Sequence, residues 1–192
     1  MQKRDVLRHV GIIVLLSVSV SVGLNILLLL INLPQYSEQY QKVSEILYAP
    51  PIWQQLLTSG LLIPIVEEVI FRGLGFRLLR RWIPFSWAMV ISAVAFGAYH
   101  GNLVQFVYAG FCGVLLAYFY EKYQTILAPI LSHAVMNIVA IVLTQTGIFA
   151  DILKRGIVAF MVMLFCDVCG MALFLRLQKM DVTKVLKMCC KD

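Results

Sequence analysis

Apolar positions in this chain fall into six long runs, at 10–33, 52–79, 85–101, 103–120, 126–144 and 156–177, separated by short polar joints. Each run is about 17 to 28 residues long, enough at 1.5 Å per residue to cross a hydrocarbon layer roughly 30 Å thick. The pattern predicts an all-α fold: a polytopic transmembrane bundle of about six spanning helices, forming one integral membrane domain over 1–192. The longest connection is 34–51, where Tyr36, Tyr40, Val43 and Leu47 recur at helical spacing. An interfacial helix is predicted there, with its tyrosines, Tyr48 and Trp53 in an aromatic belt at the outer face.

Composition sharpens this picture. The chain is 61% hydrophobic and only 14% charged, which excludes an ordinary soluble domain. The net charge of +6 does not point to nucleic acid, because the bases cluster at run ends rather than along one stripe. Lys3, Arg4 and Arg8, then Arg77, Arg80 and Arg81, then Lys122, and finally the basic tail from Arg176 lie at one end of the predicted bundle. Only Lys42, Lys154 and Arg155 lie at the other. By the bias of Lys and Arg toward the inside, both termini are expected in the cytosol. The first run is too long for the core of a signal peptide and is read as a retained helix. The five cysteines suit neither a disulfide framework nor a zinc knuckle, and Cys166 and Cys169, despite their C-x-x-C spacing, read as apolar side chains. No internal repeat supports an inverted-repeat transporter.

Charged groups inside the runs are the candidate chemistry, since ionisable residues at membrane depth are costly. Glu67 and Glu68 are followed one turn later by Arg72, His100 follows Phe96, and Asn137 follows His133. Positions i and i+4 share a helix face. Counted at 1.5 Å per residue from the cytosolic joints, Glu67, His133 and His100 lie roughly 20, 17 and 24 Å deep. Three helices therefore bring polar groups into one layer. Glu68 is expected to pair with Arg72, leaving Glu67 free to meet His100 or His133 across helices, and Pro64 is expected to kink its helix and admit water. A desolvated carboxylate beside an imidazole suits a general base.

The ordered motifs Glu67-Glu68-x-x-x-Arg72, Phe96-x-x-x-His100 and His133-x-x-x-Asn137 resemble the CAAX-protease and bacteriocin-processing (CPBP, or Abi) family, similar to the type II CAAX prenyl endopeptidases. The resemblance covers core helices at about 52–144. It implies an intramembrane endopeptidase, with a cavity open toward the cytosol, in which Glu67 and His100 activate a water while His133 and Asn137 stabilise the oxyanion. Glu68, Arg72 and Phe96 would support them. It also implies an alternative metalloprotease form, in which Glu67, His100 and His133 hold zinc, although no H-E-x-x-H is present. The expected partners are a peptide or protein substrate and the lipid bilayer, without nucleic acid. The small size resembles bacterial members, implying the bacterial plasma membrane and a role in peptide processing or bacteriocin self-immunity. Two readings from other classes stand beside this one: a small ion or proton transporter, and a non-catalytic immunity or adaptor protein.

Overall fold

The computed structural model describes residues 3–182, with side chains from Val6 onward, so the basic tail beyond residue 182 with Cys189 and Cys190 lies outside the described residues. Every regular element among them is helical. Helix α1 is Lys3–Leu30, followed by a short 3-10 turn at Leu33–Tyr36 and α2 at Glu38–Tyr48. Helix α3 is the continuous helical run 52–79; α4 is Phe85–Tyr99, α5 Leu103–Tyr123, α6 Leu127–Gln145, α7 Ile148–Leu153 and α8 Gly156–Gln178.

Among the described residues four helices, α1, α5, α6 and α8, are long and apolar enough to cross a membrane. The other two expected spans take different forms. Run 52–79 stays helical throughout but widens into π-helix at Thr58–Leu62 and again at Val69–Phe76. Helix α4 has only 15 residues, about 22 Å of rise, so it ends inside the thickness of a bilayer.

Ending a helix at that depth strands polar backbone groups, which must then find partners within the protein. Gly101 turns the chain with a φ of +70°, a conformation suited to glycine. Asn102 then serves both sides of the turn. Its Nδ2 donates to His100 O at 3.1 Å, and its Oδ1 accepts from Gln105 N at 2.9 Å as the N-cap of α5.

Small residues set how closely the helices pack. A Cβ on Gly97 would lie 2.6 Å from the Phe106 carbonyl oxygen, and one on Gly113 would lie 3.0 Å from Ala93 Cα. Helices α4 and α5 therefore touch backbone to backbone, as transmembrane pairs with small residues do. Polar side chains fasten α1 to α6: Ser17 Oγ meets Ser132 Oγ at 2.7 Å, and Ser21 Oγ donates to Met136 O at 2.9 Å. Helix α8 packs along α1 and presents much of its surface outward. Asp167 on α8 rests its carboxylate against Gly23, and Cys112, Cys166 and Cys169 are free thiols.

Gly97→Ala pushes a methyl group into a backbone carbonyl and is expected to lower stability by about 1–3 kcal/mol. Gly11→Ala, with open space around the added atom, is expected to be neutral or slightly stabilising. Thermal unfolding of the two variants in the same detergent separates these outcomes.

Candidate active site

The wide turns of α3 begin the construction of the site. Ile63 N–H reaches back five residues to Thr58 O, and Pro64, next along the chain, has no N–H to give. The Ser59 carbonyl is thereby left without its usual in-helix donor. Asn137 on α6 supplies one: its Nδ2 donates to Ser59 O at 2.8 Å. Instead of breaking at Pro64, the helix expands, and the released carbonyl ties it to α6. Asn137 keeps a second N–H for other use.

Below this turn, Glu68 is fully buried and its Oε1 accepts two hydrogen bonds. One comes from Arg72 Nη1 at 2.8 Å, the other from His133 Nδ1 at 2.8 Å. Arg72, equally buried, also donates from Nη2 to Gly113 O at 3.2 Å and lies 4.3 Å from the centre of the Phe96 ring. The absence of a side chain at Gly113 gives the guanidinium its space.

Phe96 orients more than its own motif suggests. His100 and His133 both meet its ring edge-to-face, with centroids 5.1 and 5.5 Å away. One ring thus touches the guanidinium and both imidazoles. The Phe96 backbone contributes too, since its carbonyl oxygen lies 2.9 Å from His100 Nδ1. A carbonyl only accepts, so Nδ1 carries the proton, and in the neutral ring Nε2 keeps its lone pair.

Glu67 takes no part in the Arg72 pairing. Its Oε2 stands 3.7 Å from His133 Nε2, beyond hydrogen-bond length but close enough for one water to bond to both. His133 is therefore flanked on both ring nitrogens by carboxylate oxygens, and Glu68 fixes its orientation.

Glu67, His100, His133 and Asn137 all line one cavity of about 250 Å³. Among the described residues, no three His, Cys, Asp or Glu side chains are gathered closely enough to hold a metal ion. The expected zinc set of Glu67, His100 and His133 is not gathered in this geometry.

Several lining residues escaped the motif reading. Tyr40 and Tyr48, expected in an outer aromatic belt, face this cavity together with Val43, Ser44 and Leu47 of α2, whereas Tyr36 and Trp53 are exposed. Burial in this wall pushes the Tyr40 phenol up to about 12. Asn25 of α1 and Tyr108 of α5 also line it, both tied to Ser21. Their signal was present in the sequence, because Ser17, Ser21 and Asn25 recur every four residues along one face of a largely apolar helix.

Residues 49–139, which contain all three motifs, match the family described as type II CAAX prenyl endopeptidase Rce1-like. Over 107 residues the chain is 31% identical to a Bacillus subtilis (strain 168) protein described as "Putative membrane peptidase YdiL". The match covers 56% of this chain and 43% of that protein, so the chain spans less than half the length of this relative. No solved structure matches it.

Removing one member of a buried ion pair leaves the other charged and uncompensated. Arg72→Ala is expected to cost about 3–5 kcal/mol, whereas the double variant Glu68→Gln/Arg72→Met, which removes both charges, recovers most of that loss. Folded yield and thermal unfolding of the single and double variants check this. Loss of cleavage in Arg72→Ala with folded yield and thermal stability unchanged instead gives Arg72 a role on the substrate.

Proposed function

We propose, from the premise that this chain belongs through residues 49–139 to the CAAX-protease and bacteriocin-processing family, that it is an intramembrane endopeptidase acting on a peptide or membrane-associated protein. The observation that carries this reading is the pairing of Glu67 and His133 across a 3.7 Å gap within a cavity that His100 and Asn137 also line. General-base chemistry needs an acceptor within reach of a water, and Glu67 is the site carboxylate without an Arg72 bond.

In this mechanism Glu67 takes a proton from the water, assisted by the Nε2 lone pair of His100. The resulting hydroxide forms a bond to the scissile carbonyl carbon, whose π electrons move onto oxygen. The second N–H of Asn137 stabilises that oxyanion, joined by His133 Nε2–H when the ring carries both protons. Collapse of the intermediate breaks the C–N bond, and the proton held by Glu67 passes to the departing amine. Glu68, Arg72 and Phe96 act through the residues they orient. The mechanism requires no zinc. The cellular setting proposed is a bacterial plasma membrane, with peptide maturation or bacteriocin self-immunity as the task, in keeping with the Bacillus subtilis protein the chain is similar to.

Glu67→Gln preserves shape but removes the base, so turnover is expected to fall by about 10² to 10⁴. Asn137→Ala removes an oxyanion donor and is expected to cost about 10² to 10³. The check is single-turnover cleavage of a peptide library by purified protein, run with and without a zinc chelator. Undiminished cleavage by Glu67→Gln excludes the base assignment, and loss of wild-type activity on chelation, restored by zinc, replaces the water mechanism with a metal one.

A further inference from the structure

We propose that the cavity is served from the extracytoplasmic face of the membrane, past α2, so that the substrate is a peptide segment exposed on the outer side rather than in the cytosol. The identity of the substrate rests on the peptidase reading; the side rests on geometry and charge.

The position of the cavity along each helix supplies the first observation. Helix α1 contributes to it only near its carboxyl end, through Asn25 and Leu28. Helix α4 likewise contributes only Phe96 and, just beyond its last turn, His100. Helix α5 runs the opposite way and contributes only its first half, from Val104 to Cys112, while α6 contributes from His133 toward its carboxyl end. All four counts agree. The cavity extends from mid-membrane toward the end of the bundle that carries α2 and the α4–α5 turn.

Charge identifies that end. Arg77, Arg80, Arg81, Lys122, Arg176 and Lys179 lie at the joints of the opposite end, against Lys42, Lys154 and Arg155 at the end with the cavity. The cation-rich end faces the cytosol. Arg80 is also held there by a two-pronged contact with Glu121, at 2.8 and 3.1 Å, and this carboxylate raises the affinity of the Arg80 guanidinium for its proton. The cavity therefore approaches the outer face, not the cytosolic opening that the family resemblance implies.

Helix α2 lies across this end and is amphipathic. Tyr40, Val43, Ser44, Leu47 and Tyr48 line the cavity, while Glu38, Gln41, Lys42 and Glu45 are exposed. Its ends are tethered. Ser37 caps the first turn by accepting from Tyr40 N, and the amides of Gln55 and Gln145 both donate to Tyr48 O, at 3.1 and 3.0 Å. Between these tethers no residue of α2 is fully buried. A cavity of about 250 Å³ is below the usual size of a ligand pocket, so admitting an extended peptide requires α2 to move outward.

Single cysteines introduced at Ser44, Glu45 and Arg81 test the proposal, each compared in intact cells with the parent protein for labelling by a membrane-impermeant maleimide. Glu45→Cys on the outer surface of α2 and Ser44→Cys on its inner surface are expected to gain label before permeabilisation, and Arg81→Cys only after it. The reverse order overturns the orientation. Label on Glu45→Cys without label on Ser44→Cys overturns the route past α2. Labelling does not depend on cleavage, so a failure of the peptidase reading leaves this result intact and is recognised separately.

Discussion

One oxygen atom, Oε1 of Glu68, holds the centre of this protein together. It accepts from both Arg72 and His133 at 2.8 Å, in surroundings where all three side chains are almost completely buried. Charge-assisted bonds are strong in a medium of low dielectric, and a missing partner there is correspondingly expensive. The pair is nevertheless incomplete, since Glu68 Oε2 and Arg72 Nε take no hydrogen bond. An arrangement of this kind is a poor way to gain stability. What it provides is position: Arg72 reaches Gly113 on α5 and the ring of Phe96 on α4 while His133 comes from α6, so four helices are registered around one guanidinium and one carboxylate.

This commitment of Glu68 separates the duties of two adjacent acids. Neighbours on a helix point about 100° apart, so the residue that orients His133 and Arg72 cannot also face the cavity. Glu67 does face it, and its approach to the unoccupied nitrogen of His133 is the direct consequence of Glu68 fixing the other. The irregular backbone serves the same end. Widened turns and a helix that stops at membrane depth are tolerated where protein groups or a cavity satisfy the released polar atoms. Asn137 does this for Ser59, and Asn102 does it for the end of α4.

Much of this arrangement was legible in the sequence. The apolar runs located the helices, with 52–79 helical from end to end, and i, i+4 spacing foretold the contact between Glu68 and Arg72. Counting residues from the basic joints placed Glu67, His100 and His133 in one layer, where the cavity brings them together. Other features follow from physics that spacing does not carry. The π-helical response to Pro64 depends on which carbonyl loses its donor and on whether another helix can supply one. The inward turn of Tyr40 and Tyr48 depends on a cavity existing beneath α2, and an amphipathic pattern alone suits a protein wall as well as a lipid surface. The polar stripe Ser17, Ser21 and Asn25 was readable, yet its partners on α6 and α5 come only from the packing. The side of the membrane that the cavity approaches likewise needed lining residues from several helices at once.

The chemistry of the site depends on which nitrogen of each histidine bears its proton, and nitrogen-15 NMR of histidine-labelled protein in detergent or bilayers measures that directly. With only three histidines in the chain, His133→Gln and His100→Gln assign the resonances. The prediction is a protonated, hydrogen-bonded Nδ1 in both His100 and His133, with the His133 Nδ1 signal alone displaced strongly by Glu68→Gln. An unprotonated Nδ1 in His133, or a His133 signal indifferent to Glu68→Gln, contradicts the central role given to the Glu68 carboxylate.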